Sequence, residues 1–145
     1  MHDETIERPL APPNPDTAPY WDGLRAGRLL LQRCAACGTI RHYPRPLCAA
    51  CHSFDVDWVP ASGAGEVHSW TVIHHAFHPA FKQQVPYTLV TVDLAEGVRV
   101  NVPLRDAAPE SLAIGRRVRI VFERVSPMLT LPACVLARRS EDPAA

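Results

Sequence analysis

The sequence predicts a mainly β protein in which an N-terminal helix and a zinc ribbon precede a five-stranded OB-type barrel. Three observations predict this fold. Two identical CAAC turns lie close together in the chain, five strand-like runs follow them, and 15 prolines against seven glycines indicate short segments with stiff connectors. The predicted units are a flexible N-terminal arm (1–16), the helix and zinc ribbon (17–60), the OB-fold (61–138) and a flexible C-terminal tail (139–145).

A short helix is predicted directly after the N-terminal arm. Asp16 or Thr17 can cap its start, Pro19 suits its first turn, and Gly27 can end it. The residues that fall on its apolar face at helical spacing are Tyr20, Trp21 and Leu24.

The strongest pattern in the chain is the pair of CAAC turns, which supply Cys34, Cys37, Cys48 and Cys51. A two-residue spacer lets one tight turn present two sulfurs to the same ion, and zinc takes four such ligands at about 2.3 Å. Four protein ligands leave no open position, so the predicted zinc site is structural and not catalytic. Iron in a tetrahedral four-thiolate site, a disulfide framework and a thioredoxin-like redox pair remain alternatives.

The residues around the cysteines refine this prediction. Gly38 follows the first turn, where a backbone with positive φ is easily tolerated, whereas His52 holds that place after the second turn and makes it less ideal. Three arginines could offset the negative charge of a four-thiolate centre or could simply be solvated; they are Arg33, Arg41 and Arg45. Cys134 lies in an apolar run and is predicted to be a buried core thiol.

The apolar segments LLLQ, TIRHY and FDVDWV bracket the cysteine turns and predict a three-stranded ribbon. After a break at residues 61–63, five further strands are predicted, at 65–74, 87–94, 98–104, 117–125 and 129–138. The second and third are joined by a hairpin ending at Gly97. The insert Arg105 to Gly115 is long enough for one helical turn. This arrangement fits an OB barrel, with a general five-stranded sandwich as the alternative.

The connection from His75 to Pro86 is the most unusual surface candidate. Phe77 and Phe81 can form an apolar lip that another chain or an acyl group covers, or they can pack within the loop. A second-metal or acid–base role for His74, His75 and His78 is disfavoured, because no Asp or Glu occurs between Glu66 and Asp93 to orient them.

Charge and hydropathy exclude several classes of function. Fifteen basic residues balance 15 acidic ones and no long basic block is present, which argues against a nucleic-acid partner. No apolar stretch approaches the roughly 18 residues of a membrane span, so no membrane association is expected. The N-terminal residues show no export or transit pattern, and we expect a cytoplasmic protein.

The assembled pattern resembles a known family, the domain-of-unknown-function family thirty-five, whose members join a rubredoxin-like zinc ribbon to an OB-fold. The resemblance covers roughly residues 17–137. It rests on the following motifs: Tyr20-Trp21-Asp22-Gly23-Leu24, Gly27-Arg28-Leu29, Gln32-Arg33-Cys34-Ala35-Ala36-Cys37-Gly38, Pro44-Arg45-Pro46-Leu47-Cys48, Cys51, Gly63-x-Gly65-x-Val67-x-Ser69-Trp70-Thr71-Val72, Pro86-Tyr87, Glu96-Gly97-Val98-Arg99 and Ile114-Gly115-x-x-Val118. Where glycine is frequent in the family, this chain has His52, a departure that leaves the ligands intact.

The resemblance implies a non-catalytic, zinc-binding partner of acyl-CoA enzymes. Such proteins look like subunits of thiolase-like enzymes, including the thiolase-fold aldolases and the hydratases of steroid side-chain degradation, so a hetero-oligomer is expected, with acyl-CoA contact left open. The residues expected to face a partner or substrate are Trp21, Arg45, Trp70, His75, Phe77, His78 and Phe81. Two alternatives remain: a single-stranded nucleic-acid module stacking bases on Trp70 or Phe77, and a stand-alone acyl-CoA lyase or thioesterase using His75 or His78.

Overall fold

The computed structural model describes residues 8–10, 12 and 14–138 of the 145-residue chain. It confirms the mainly β architecture, with an N-terminal helix, a three-stranded sheet and a five-stranded sheet in that order. The predicted flexible arm lies for the most part outside the described residues, and the predicted flexible tail lies wholly outside them. No helix within the described ranges has the length and hydropathy needed to cross a membrane.

The helix α1 spans Ala18–Arg25 and ends close to the predicted glycine, since Gly27 adopts a φ of 74°. Thr17 occupies the N-cap position, but its side chain makes no capping hydrogen bond, so the predicted cap is wrong. Instead, the backbone N–H of Thr17 donates to Oδ1 of Asn14 at 3.0 Å. Tyr20 and Leu24 are buried in the core, as the helical spacing predicts, and Trp21 is half-buried beside them.

The ribbon is a three-stranded antiparallel sheet. Its strands are β1 (Leu30–Cys34), β2 (Ile40–Arg41) and β3 (Val56–Pro60), in the order β2-β1-β3. The two cysteine turns lie at its ends, one between β1 and β2 and the other between β2 and β3. The predicted ribbon is therefore confirmed.

The second sheet forms the barrel and has the order β6-β5-β4-β7-β8. Its strands are β4 (Ala64–Ile73), β5 (Tyr87–Leu94), β6 (Arg99–Pro103), β7 (Arg117–Ser126) and β8 (Leu129–Leu136). A parallel bridge between Leu104 and Cys134 joins its two outer strands, and the N–H of Arg105 donates to the carbonyl of Cys134 at 2.9 Å. The sheet is thus closed as an OB barrel requires. Its strand ends differ from the predicted ones by one or two residues at most.

The interior of the barrel is filled by alternating positions of its strands, as the period of two predicts. Val90 and Val92 of β5 and Val100 and Val102 of β6 are almost completely buried, whereas their neighbours face outward. The predicted insert between β6 and β7 contains one 3-10 turn, Pro109–Ser111.

The ribbon and barrel meet at the outer edge of β6. There the N–H of Asn101 donates to the hydroxyl of Tyr43 at 2.9 Å. The helix α1 packs against both β1 and β8, and Nη1 of Arg25 donates to the carbonyl of Met128 at 3.2 Å. The ribbon therefore covers one edge of the barrel sheet.

His42 is packed at this junction between two tyrosines. Its ring centroid lies 5.5 Å from that of Tyr20 and 4.0 Å from that of Tyr43. Both ring nitrogens are buried without a hydrogen-bond partner among the described residues. Burial lowers the pKa of His42 to about 4, because the site favours the neutral imidazole.

We expect His42→Leu to stabilise the protein more at pH 5 than at pH 7.5. The pKa of His42 lies below its unfolded value, so the unfolded chain takes up a proton first as the pH falls from about 6.5 toward 4. Wild type therefore loses stability in that window, by about 1 kcal/mol at pH 5 after allowing for partial solvent exposure. Denaturant unfolding of both proteins at the two pH values measures the difference. An equal effect of the substitution at both values would contradict this account.

Candidate metal centre and partner-facing surface

The two CAAC turns have the same local geometry. In the first, the N–H of Gly38 donates to the carbonyl of Cys34 at 2.9 Å; in the second, the N–H of His52 donates to the carbonyl of Cys48 at 2.9 Å. Each turn closes tightly and presents both of its sulfurs on one side. The ribbon strands then bring the two turns face to face.

The four cysteine sulfurs converge on one point. All four Sγ atoms lie within 4.8 Å of one another, with 3.5 Å between Cys34 and Cys51 and 3.7 Å between Cys37 and Cys48. Sulfurs bound at 2.3 Å around a tetrahedral zinc ion stand about 3.8 Å apart, so these separations fit the ion. Among the described residues this is the one group of three or more such side chains placed to hold a metal. The predicted ligand set is thus correctly positioned for zinc.

The electrostatics of the site favour a bound cation. The backbone N–H of Cys37 lowers the pKa of Cys34, and that of Cys51 lowers the pKa of Cys48. Although the backbone N–H of Ser53 acts to lower it, the pKa of Cys51 is raised to about 12, chiefly by the hydrogen bond with the Cys34 sulfur. Four thiols this close cannot all lose their protons without a counter-charge, because their negative charges repel. A bound divalent cation supplies that charge and displaces the protons.

Gln32 organises the segment between the two turns, a role that the sequence did not suggest. Its side chain is buried, and its Oε1 accepts hydrogen bonds from Nε of Arg41 and the N–H of Arg45, both at 2.8 Å. Nη2 of Arg41 also donates to the carbonyl of Arg45 at 3.0 Å. Arg33 lies 3.7 Å from Asp57. These contacts hold the loop, and no described ion pair joins these arginines to the sulfurs.

His52 adopts the left-handed backbone that the sequence identified as the weak point of the second turn. Its φ is 64°, close to the 78° of Gly38 in the first turn. A side chain in this region costs about 1–2 kcal/mol relative to the right-handed form. The two turns therefore have the same shape with unequal strain.

We expect His52→Gly to raise the stability of the zinc-loaded protein by about 1 kcal/mol, because glycine adopts positive φ without a Cβ penalty. Thermal unfolding in the presence of zinc measures the change. The matched control is Gly38→Ala, which places a Cβ on the same backbone of the first turn and should destabilise it by a similar amount. A lower melting temperature for His52→Gly would contradict the prediction.

The aromatic and histidine residues of the loop between β4 and β5, which the sequence analysis treated as one surface, lie in different environments. Phe77 is 88% exposed, and its ring meets that of His75 edge-on at 4.7 Å. Phe81 is half-buried instead, beneath the guanidinium of Arg8 at 5.5 Å. The Nδ1 of His78 accepts from the N–H of Ala80 at 3.2 Å, so this histidine caps a 3-10 turn. Only Phe77 is a freely exposed aromatic side chain of the predicted lip.

The histidines of this loop form no described site with a carboxylate. The one His–Asp ion pair described joins His68 of β4 to Asp93 of β5, with 3.2 Å between Nδ1 and Oδ2. Asp93 also accepts from Nε of Arg99 at 2.6 Å, which lowers the pKa of its carboxyl group. All three side chains are exposed on the outer face of the sheet.

Three further predicted residues lie elsewhere. Trp21 lines an apolar groove of about 280 Å³ between α1 and the β7–β8 turn. Trp70 lies on β4 and is 37% exposed, and the side chain of Arg45 is exposed on the ribbon. Cys134 is completely buried, as predicted, and desolvation raises the pKa of its thiol to about 12. The candidate partner-facing residues are therefore spread over several surfaces.

Comparisons with known proteins match this architecture. Residues 21–57 match the family model described as "ChsH2, rubredoxin-like zinc ribbon domain", and residues 58–123 match "ChsH2, C-terminal OB-fold domain". A DUF35 domain-containing scaffold protein of Methanothermobacter thermautotrophicus is 34% identical over 64% of this chain and 70% of its own length.

Two curated relatives are longer proteins. The probable enoyl-CoA hydratase alpha subunit of Thermomonospora curvata is 44% identical over 86% of this chain. The 3-oxo-4,17-pregnadiene-20-carboxyl-CoA hydratase alpha subunit of Mycobacterium tuberculosis is 40% identical over 74% of it. The aligned region spans 39% and 33% of these relatives.

Two solved structures share the fold. A chain of the Ltp2–ChsH2(DUF35) aldolase superposes with a TM-score of 0.80 and 43% identity, over 90% of this chain and 100% of that one. A DUF35-family protein of unknown function from Sulfolobus solfataricus superposes with a TM-score of 0.60 and 16% identity, over 86% and 87% of the two chains. The second likeness concerns the fold alone.

Proposed function

The chain belongs to the DUF35 family, and we propose that it is a non-catalytic, zinc-binding accessory subunit of a thiolase-like acyl-CoA enzyme. In this role it supports assembly of the enzyme and helps to position the acyl-CoA. The partner is a thiolase, or an aldolase or hydratase of steroid side-chain degradation. The observation that carries the proposal is the match over the whole length of the ChsH2(DUF35) chain of an aldolase.

The chemistry of the described residues supports an accessory role. The four sulfurs that hold the metal form a closed shell, which leaves no position for a substrate or an activated water. The side chains of His68 and Asp93 are both exposed to solvent, and no described nucleophile contacts the pair. The reacting groups are therefore expected on the partner. The alternative of a stand-alone lyase or thioesterase has no enclosed catalytic pair among the described residues to support it.

The exposed loop between β4 and β5 is the surface we assign to the partner or its acyl-CoA. Phe77 presents an aromatic ring almost fully to solvent, and large exposed apolar side chains often anchor interfaces. Trp21, Arg45 and Trp70 are proposed to contribute at other points of a broad interface. The ribbon and α1 supply a rigid base, because both pack against the barrel.

Co-expression with the Ltp2 component of the matched aldolase tests the proposal. Purification through a tag on this chain should yield a stoichiometric complex, measured by light scattering after size exclusion, and acyl-CoA cleavage should require both proteins. Phe77→Ser should weaken the complex roughly tenfold or more, while Lys82→Ser, an exposed change in the same loop, should not. Failure to form a complex with Ltp2, with acyl-CoA turnover by this chain alone, would reject the accessory role.

A further inference from the structure

The outer part of strand β4 has a neighbour on only one side. β5 pairs with β4 along nearly its whole length, but β7 pairs with it only over Ala64–Glu66. The last contact on the β7 side is at Val67, whose N–H donates to the carbonyl of Arg116 at 2.9 Å. Beyond it, the segment from Ser69 to Ile73 has no strand on that side within the part of the chain that is described.

The register shows which backbone groups point out of this edge. The carbonyl of Thr88 accepts from the N–H of Leu104 at 2.9 Å, so the backbone groups of Thr88 face β6. In an antiparallel sheet, both backbone groups of a residue point the same way and the direction alternates along the strand. Thr88 and Val90 oppose Val72 and Trp70. The N–H and C=O groups of Trp70 and Val72 therefore point away from β5, into the open edge.

This edge lacks the usual protection of exposed strands. Natural edges are commonly shielded by charged side chains, proline or irregular backbone. Between Glu66 and Lys82 the chain has no Asp, Glu, Lys or Arg, and its first proline is Pro79. The single irregularity, a bulge between Val67 and Ser69, lies at the barrel end of the segment. The outer side of β6 is different, because Tyr43 of the ribbon accepts from the N–H of Asn101 there and the Leu104–Cys134 bridge joins it to β8.

We propose that a second copy of this chain pairs with this edge, antiparallel, about a two-fold axis that passes through Thr71. In this register Trp70 of each copy opposes Val72 of the other, and their outward groups form four backbone hydrogen bonds. Thr71 of one copy then faces Thr71 of the other in a non-hydrogen-bonded pair. The aromatic–β-branched and Thr–Thr pairs are both favourable across strands, and no like charges meet.

The same axis accounts for two exposed apolar side chains outside β4. Ile114, 81% exposed, precedes Gly115, whose N–H donates to the carbonyl of Val67 at 2.8 Å, so Ile114 lies at the barrel end of the edge. Phe77, 88% exposed, follows the other end of β4. Antiparallel pairing brings the Phe77 loop of each copy toward Ile114 of the other. This adds apolar area to both ends of a short strand pair.

Engineered cysteines test the register directly. Residues opposed in a non-hydrogen-bonded pair have Cα atoms about 4.5 Å apart, within disulfide range. Thr71→Cys should therefore give a disulfide-linked dimer on mild oxidation of the isolated full chain. Ser69→Cys is the matched control, because the two copies of residue 69 would stand about 13 Å apart. It should remain at the wild-type background on non-reducing electrophoresis.

Sedimentation of the isolated chain gives an independent measurement. Val72→Pro removes an outward N–H that β5 does not use, so it should weaken self-association roughly tenfold or more, whereas Val72→Thr keeps the N–H and should not. A monomer at every concentration without cross-linking at residue 71, or equal cross-linking at residue 69, would overturn the proposal. So would a monomer whose complex with Ltp2 is lost in Val72→Pro, because the edge then belongs to that partner. The pairing concerns the isolated chain. It uses the same Phe77 loop as the proposed partner surface, so bound Ltp2 is expected to displace the second copy.

Discussion

Replacing Cys48 with serine is expected to release the metal and unfold the ribbon. Cys48 is completely buried, and its sulfur is one of four that converge within 4.8 Å. A structural zinc site contributes apparent binding free energy on the order of 10 kcal/mol, and the small ribbon has little core to replace it. Elemental analysis should fall from one metal per chain to a trace. Hydrogen exchange should become fast in β1, β2 and β3 while the barrel strands stay protected. The same measurements identify zinc or iron in the wild type.

The fifth cysteine provides the control for this experiment. Cys134 is buried in the barrel, away from the cluster, so Cys134→Ala should keep one metal per chain. A chelator added to the wild type should reproduce the Cys48→Ser exchange pattern, and zinc should reverse it. If the metal-free wild type kept slow exchange at Leu31 and Gln32, the metal would not be what holds the ribbon.

Leu24→Ala is expected to cost about 2–5 kcal/mol of the free energy of unfolding. Leu24 is completely buried on α1, in the core cluster that joins helix, ribbon and barrel. Truncation removes apolar contacts and leaves a cavity, since neighbours fixed in both sheets relax only partly. Denaturant unfolding followed by circular dichroism measures the loss, and the ribbon and barrel should now unfold at different denaturant concentrations.

Leu10→Ala is the matched control because it removes the same atoms from a side chain that is 61% exposed. A change within about 0.5 kcal/mol is expected there. Equal losses at the two positions would show that α1 is not the element that couples the ribbon to the barrel.

The patterns that predicted the fold correctly are local ones. A CxxC spacer specifies one turn regardless of its surroundings, and alternation along β5 reports its two faces directly. The side-chain role of Gln32 is different. A polar glutamine is expected to face solvent, but the burial of Gln32 depends on Arg41 and Arg45 returning across the ribbon to bond its side chain. No local pattern encodes that return.

Other features could not be predicted from the sequence because they depend on which strands of the barrel pair and in what register. His68 and Asp93 become neighbours through the β4–β5 register and the bulge near His68. The open edge arises because β7 starts opposite Glu66, which leaves β4 beyond Val67 without a described strand on that side. Residue type alone also fails to predict helix capping. Threonine favours the N-cap position, but the hydroxyl of Thr17 is buried without a described hydrogen-bond partner.

The parallel bridge from Leu104 to Cys134 also sets the order in which the chain can fold. The hairpins of the barrel join neighbouring segments, but this bridge and the β4–β7 pairing join distant ones, and such loop closures are slow. All four metal ligands, by contrast, precede the first barrel strand. During synthesis, which proceeds from the N-terminus, the ribbon can capture its ion and fold while the barrel must wait for β8. The metal site is therefore expected to form before the barrel on each new chain.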